Sequence, residues 1–310
     1  MAKIRMKQHR TTFKEGCELY LLDCRQRNLR EGTIRHYRQS FKRFSRYFDD
    51  ELPIDEINQD MYNTYVVQLC DELENSVSIN SYLRDLITVL HFWMDRGYIK
   101  RFKMKSIKVD QQAIETYSDE ELAILLKKPE IRKCGFVEYE CWVMTNFLFS
   151  TGVRQRSLNN IQIKDVDLMN RLVTLRVTKN RRVLIVPLSA TMCSILTEYL
   201  KHRQNKSNED YLFCNAYGEQ LCKSTGYKML YFYNKSRGIQ QTGIHRYRHT
   251  FAKQWVLNGG NVVTLSRILG HSSLDITQNY LNLLVTDLAK QVDEINLLDR
   301  FAAKKRLTMR

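Results

Sequence analysis

Side chains suited to phosphate chemistry stand close together in one part of the chain. The motif HRYRH occupies residues 245–249, LGH occupies residues 269–271, and Tyr280 follows nine residues after His271. Arginine presents a planar fork that matches two phosphate oxygens, histidine exchanges protons near neutral pH, and a deprotonated tyrosine oxygen is a nucleophile. These residue types predict phosphoryl transfer to tyrosine at a cationic site.

The elements that carry these side chains must bring them together. Glycines at 259, 260 and 270 divide the region into short helices, so side chains far apart in sequence can face one place. HxxR alone is common in helices, and most tyrosines pack in cores, so the motif needs support from the rest of the chain.

Composition bounds the class of protein. A chain of 310 residues with 43% hydrophobic residues is long enough for two globular domains, each with its own core. The 49 Lys and Arg exceed the 34 Asp and Glu, which gives a net charge of +15 and favours a polyanionic partner such as nucleic acid. A basic surface with no such partner is the alternative.

Cysteine usage and hydropathy indicate the compartment. The eight cysteines form no CxxC pair and have no clustered histidines at zinc spacing, which is typical of free thiols in a reducing compartment. No run of eighteen apolar residues occurs, and the basic N-terminus has no apolar segment behind it. We therefore expect a protein that is neither secreted nor membrane-spanning, located in the cytoplasm with the nucleoid.

Residues 11–105 read as a helical domain of four helices. Thr11 or Thr12 caps the first helix, the second begins at Thr33, and two more follow at about residues 59–73 and 78–96. Residues 106–117 are expected to form a linker, residues 118–285 a second domain, and residues 286–310 a C-terminal helix and tail. The predicted fold class is mainly α-helical with a small β-hairpin or sheet.

The second helix has two faces. One carries apolar side chains from Ile34 to Phe48, and the other carries four cations, Arg35, Arg38, Lys42 and Arg46. Residues 1–48 hold 13 basic and 4 acidic residues, whereas residues 49–95 hold 1 basic and 11 acidic residues. This segregation predicts that the basic face contacts DNA phosphates; a solvated surface is the alternative.

The second domain begins with Ser118 and Glu121, which fit a capping box. An apolar helix at residues 142–149 runs into TGVR at residues 151–154. Alternating stretches at 172–177 and 183–186, joined by TKNRR at 178–182, predict a β-hairpin with a cationic tip. A solubilising turn is the alternative for that tip, and the rest of the domain reads as helical.

Five pieces of this domain together resemble the tyrosine recombinase (phage integrase) family. They are TGVR at 151–154, a hairpin lysine followed by VPL at 186–188, HRYRHTFA at 245–252, LGHSS at 269–273, and Tyr280. The resemblance implies an N-terminal four-helix SAM-like core-binding domain and a C-terminal mixed α/β catalytic domain. It is closest to the simple two-domain type seen among Xer-like and transposon-encoded members, without a separate arm-binding domain.

The resemblance also implies a role for each matching residue. Tyr280 would attack a DNA phosphodiester and form a 3′-phosphotyrosyl bond, while Arg154 and Arg248 hold the non-bridging oxygens. His245 would be the base, Lys179 would protonate the leaving 5′-oxygen, and His271 would hydrogen-bond the phosphate. Arg181 and Arg182 are nearby substitutes for Lys179 and candidate DNA contacts. The chemistry implies neither a metal nor a nucleotide cofactor.

The same resemblance implies an assembly. Exchange between two duplexes needs four cleavages, hence a homotetramer on double-stranded DNA with an inverted-repeat core site. Residues 286–301 predict a helix with Leu288, Val292, Ile295 and Leu298 on one side. In this family such a helix docks into a neighbouring protomer; docking onto its own domain is the alternative. The sequence does not indicate whether accessory proteins take part.

One position departs from the family pattern. The family usually has an acidic residue three positions after the first arginine, and here Ser157 stands there. The departure affects the surroundings of Arg154 and not the reaction class. A type IB topoisomerase-like enzyme and a non-catalytic DNA-binding relative are the alternative functions, and the reaction product distinguishes them. Tyr247, inside HxxR, is expected to pack in the core.

Overall fold

The structure is a computed structural model that describes residues 9–109, 115–178, 182–203, 207–271 and 273. The chain divides into two compact units, Met1–Gln112 and Ala113–Arg310. Within the described ranges, no helix has both the length and the apolar composition needed to cross a bilayer.

In its described part, the first unit is built from four α-helices. Thr12 begins the first helix with a capping box, in which its hydroxyl accepts from Glu15 N and the Glu15 carboxylate accepts from Thr12 N. Asn58 and Asn75 cap the third and fourth helices through their side-chain oxygens. The elements are α1 (Phe13–Gln26), α2 (Glu31–Phe44), α3 (Gln59–Glu72) and α4 (Ser76–Asp95), with a 3₁₀ turn at Ile54–Glu56.

The core of the first unit centres on Trp93, which is fully buried on α4. Its indole N–H donates to Gly16 O on α1 at 3.0 Å. A Cβ atom at position 16 would lie 2.8 Å from Trp93 Cζ2, so only glycine permits this approach of the two helices. Phe13 packs edge-on against the same indole.

Helix α2 separates its two faces as predicted. Ile34, Phe41 and Phe44 are buried in the core. The four predicted DNA-contact residues lie on the exposed side of the helix or just beyond its end: Arg35, Arg38, Lys42 and Arg46.

The second unit combines helices with a small antiparallel sheet of order β1-β2-β3. Ser118 and Glu121 form the expected capping box at its first helix. Its described helices are α5 (Asp119–Leu126), α6 (Phe136–Thr151), α7 (Gln155–Leu158), α8 (Ala190–His202), α9 (Lys223–Ser236), α10 (Ile244–Leu257) and α11 (Val262–Leu269); its strands are β1 (Val166–Asp167), β2 (Leu172–Leu175) and β3 (Leu184–Pro187).

Helix α6 is the central element of the second unit. It packs against α5, α8, α9 and α10, and Phe147 and Leu148 near its end are fully buried. Val173 pairs with Val186 across the sheet, and both are fully buried against the same core.

Strand β2 is two residues shorter than predicted, and β3 lies one residue later than the predicted 183–186. Residues 176 and 177 were expected to continue β2, but side-chain bonds replace the ladder there. Arg176 Nε donates to Asp165 Oδ1 at 2.6 Å, and Val177 O accepts from Ser157 Oγ at 3.0 Å. Strand β1 was not predicted, because two residues are too few to show alternation.

Candidate active site

The end of α6 sets the position of Arg154. Gly152 terminates the helix with φ of +60°, a left-handed conformation that favours glycine. A Cβ atom there would lie 2.5 Å from Phe251 Cδ1 and 2.7 Å from Leu269 Cδ2. Glycine is therefore required both for the turn and for the close packing of α6 on α10 and α11. The chain then directs Arg154 toward the end of α11.

Arg154 is half-buried and is held by backbone carbonyls. Its Nη1 donates to Leu269 O at 3.1 Å and to Gly270 O at 3.4 Å. Helix α11 ends there because Gly270 adopts a left-handed conformation with φ of +61°. The last carbonyls of a helix carry partial negative charge, which suits a guanidinium.

Arg248 converges on the same carbonyl from α10. Its side chain donates from Nη1 to Gly152 O at 2.8 Å and from Nη2 to Leu269 O at 2.8 Å. The residue is only 5% exposed. Since both arginines bind Leu269 O, their guanidinium groups lie side by side.

His271 contacts Arg248 directly. Its Nε2 lies 2.7 Å from Arg248 Nη2, and because a guanidinium can only donate, this nitrogen accepts. An accepting Nε2 requires the neutral ring. Burial, with the charges of Arg248 and Arg154, lowers the pKa of His271 to about 4, in agreement with that geometry.

His245, in the first turn of α10, is kept neutral by similar causes. Burial lowers its pKa first, followed by the charges of Arg248, Arg154 and Lys223. A neutral imidazole at pH 7 can accept a proton. His249 lies one turn further along the helix, and burial together with His245 and Arg248 lowers its pKa to about 4.

A cavity of about 560 Å³ opens beside these groups. Arg154, Arg248 and His271 line it, and so do Ser157, Thr178 and Arg182 from α7 and the hairpin. Two guanidinium groups and a neutral imidazole around one cavity can bind the oxygens of a phosphate.

The predicted site residues divide into three groups. Arg154, Arg248, His271 and Arg182 border the cavity, and His245 lies within electrostatic reach of both arginines. Arg35, Arg38, Lys42 and Arg46 belong to the other unit. Lys179, Arg181 and Tyr280 lie outside the described residues, as does the predicted helix at 286–301.

Some contributors were not predicted. Lys223, the first residue of α9, adds to the field on His245, and its carbonyl accepts from Gln155 Nε2 at 2.7 Å. No motif singles out this lysine; its position next to the α9 N-cap Cys222 is the only sequence signal. Tyr247 packs in the core as expected, with its hydroxyl bonded to Asn234.

Among the described residues, no three His, Cys, Asp or Glu side chains lie close enough together to hold a metal ion.

Comparison with known proteins identifies the family. The sequence profile of the phage integrase family matches residues 117–286, which is more than half of the 310 residues. The chain belongs to the phage integrase family. The profile of the phage integrase N-terminal SAM-like domain matches residues 18–97. The predicted family, the fold class and the enzyme class are confirmed: this integrase is a tyrosine recombinase, a DNA strand-transferring enzyme.

Relatives of this integrase include Xer proteins and a transposon integrase. Tyrosine recombinase XerD of Staphylococcus epidermidis is 24% identical over 281 residues, which cover 87% of this chain and 94% of that protein. The Tn1549 transposon integrase in complex with transposon right-end DNA has the same fold, with a TM-score of 0.74 at 17% identity over 89% of this chain and 99% of that one. XerH bound to a palindromic difH substrate gives a TM-score of 0.68 at 21% identity over 92% and 85% of the two chains.

Proposed function

We propose that this integrase cleaves and rejoins DNA at specific sites through a 3′-phosphotyrosyl intermediate, with Tyr280 as the nucleophile. The observation that carries the proposal is the convergence of Arg154 and Arg248 on Leu269 O at the edge of one cavity. Two fixed forks of donors suit the two non-bridging oxygens of a phosphodiester. They also offset the charge that develops in its pentacoordinate transition state.

The remaining groups divide the proton transfers. His245, neutral at pH 7, takes the proton of the Tyr280 hydroxyl as its oxygen attacks phosphorus. Lys179 gives a proton to the 5′-oxygen as the P–O bond breaks, and His271 hydrogen-bonds the phosphate. The phosphotyrosyl ester retains the energy of the broken bond, so a 5′-hydroxyl from a partner strand can reverse the step without a metal or a nucleotide cofactor.

The substrate we propose is double-stranded DNA with an inverted-repeat core site. The structure of the Tn1549 integrase contains transposon right-end DNA, and that of XerH contains a palindromic difH substrate. This chain carries a net charge of +15. The exposed cations of α2, together with Arg181 and Arg182, would contact the backbone. The reaction would integrate or excise a mobile element, or resolve DNA in the manner of Xer proteins, on the nucleoid in the cytoplasm.

Strand exchange between two duplexes requires four protomers. We place residues 286–301 as the segment that links each protomer to its neighbour, because its apolar side chains recur at helical spacing. A tetramer on two sites would then cleave two strands at a time.

A trapped covalent adduct tests the nucleophile. DNA that the protein selects from a random pool supplies the site, and a nick beside the cleavage position lets the 5′-hydroxyl fragment diffuse away. The wild type should form a covalent adduct, and Tyr280→Phe should form none. Tyr217 is 88% exposed, so Tyr217→Phe should behave as wild type. An adduct that survives Tyr280→Phe would refute the assignment.

The products test the reaction. Two duplexes that each carry the selected site should yield recombinant duplexes. Relaxation of a supercoiled circle with no recombinant product would instead indicate topoisomerase-like activity.

A further inference from the structure

Ser157 occupies the position at which the family pattern has an acidic residue. It lies in α7, is 7% exposed, and lines the same cavity as Arg154 and Arg248. Its hydroxyl donates to Val177 O at 3.0 Å. An ionised carboxylate at this position has no proton to donate, so this bond depends on the serine.

Each residue of the segment 176–178, which follows β2, takes part in a hydrogen bond to another part of the chain. Arg176 Nε donates to Asp165 Oδ1 at 2.6 Å, and Thr178 Oγ1 donates to Arg182 O at 2.5 Å. Thr178 is 8% exposed and borders the cavity. Thr178 therefore connects the residues before and after 179–181 through its bond to Arg182 O, and Ser157 connects Val177 to α7.

We propose that Ser157 is a positioning residue for protonation of the leaving 5′-oxygen. Its bond to Val177 O fixes the end of the segment after β2 against the helix that follows Arg154, and the proton donor is the second residue after Val177. This inference rests on the proposed function, in which Lys179 is that donor. Ser157 would act through Val177 and the segment after β2, and not on the substrate itself.

A substrate whose leaving group needs no proton distinguishes a misplaced proton donor from other causes of slow cleavage. In cleavage, a bond forms between the Tyr280 oxygen and phosphorus, the bond to the 5′-oxygen breaks, and that oxygen takes a proton from Lys179. With sulfur in place of the bridging 5′-oxygen, the group leaves as a thiolate, because a thiol is far more acidic than an alcohol. Loss of the proton donor should then slow only the oxygen substrate.

Single-turnover cleavage with saturating enzyme measures the chemical step on both substrates. Ser157→Ala should slow cleavage of the oxygen substrate by about tenfold, the value of one hydrogen bond, and should cleave the sulfur substrate as fast as the wild type. Lys179→Ala should show the same pattern with a loss of about 100-fold or more. Ser157→Thr keeps the donor and should recover most of the rate.

Ser150→Ala is the matched control. The Ser150 hydroxyl donates to Phe147 O within α6 at 3.1 Å, so its removal should leave both rates unchanged. Equal slowing of both substrates by Ser157→Ala, or no slowing at all, would overturn the inference alone. If Lys179→Ala cleaves the sulfur substrate as slowly as the oxygen substrate, the proposed role of Lys179 and the inference would both be overturned.

Discussion

Glu140 on α6 provides a quantitative test of the packing in the second unit. The residue is fully buried, and its Oε1 accepts from Tyr199 OH at 2.9 Å and from Cys214 N at 2.8 Å. Among the described residues, Oε2 has no hydrogen-bond partner. The Arg203 guanidinium is directed to Tyr211 O and Leu212 O. Burial raises the pKa of Glu140 to about 7 against the opposing effects of Cys214, Tyr199 and Arg203.

We predict that Glu140→Gln makes the stability of the second unit less dependent on pH. The folded state keeps the Glu140 proton up to about pH 7, whereas the unfolded state releases it near the ordinary value of 4.5. The neutral acid therefore stabilises the fold below pH 4.5, and this contribution is lost as the pH rises through 7. At about 1.4 kcal/mol per pKa unit, the loss amounts to about 3 kcal/mol. Glutamine does not titrate, so the Glu140→Gln variant should not show this loss of stability.

Urea unfolding of the full chain at several pH values between 5 and 8, followed by tryptophan fluorescence, measures the difference. Trp142 and Trp255 report on the unit that contains Glu140, and Trp93 reports on the other unit as an internal reference. The advantage of Glu140→Gln over the wild type should grow with pH. Glu138→Gln, two residues earlier on α6 with a side chain 48% exposed, is the control. Parallel stability curves for the wild type and Glu140→Gln would refute the reasoning.

Two further predictions concern the site. Burial and the neighbouring arginines lower the pKa of His271 to about 4 and lower the pKa of His245 from its ordinary value of 6.5. The acidic limb of the single-turnover cleavage rate should therefore lie below pH 6.5, and a limb centred above pH 7 would contradict a lowered pKa for the base. Gly152→Ala combines a left-handed φ with overlap against Phe251 and Leu269, and should destabilise the second unit by at least about 2 kcal/mol. Gly238→Ala has a similar φ of +81° but no atom within 4 Å, so a melting temperature lowered equally in both variants would contradict the packing argument.

The sequence predicted much of the helical order, because most helices carry signals at their ends. Ser118 with Glu121 marks the start of α5, and the third helix, expected at about residues 59–73, is observed at Gln59–Glu72. Helix α6 was predicted only over residues 142–149, whereas it spans Phe136–Thr151. Its first three residues are exposed, and from Tyr139 onward it is buried on nearly every side and contains the buried Glu140, so no apolar period marks its true beginning.

The side chains that border the cavity were easier to predict than the groups that hold them. Arg154, Arg248 and His271 stand in recognisable sequence motifs, and the structure places all three around one cavity. Their partners are the carbonyls of Gly152, Leu269 and Gly270, and every residue has a carbonyl, so no sequence pattern distinguishes these. The bond from Ser157 to Val177 O was hidden for the same reason.

The arrangement of the two arginines serves two purposes with the same charges. Placing guanidinium groups side by side is unfavourable unless acceptors offset their repulsion, and the carbonyls at the ends of α6 and α11 do so. These bonds fix the donors in the folded protein, so little reorganisation would be needed for a phosphate to bind. The same two cations lower the pKa of His245 and His271. The charges that would hold a phosphodiester thus also keep the nearby imidazoles neutral, as a proton acceptor for tyrosine must be.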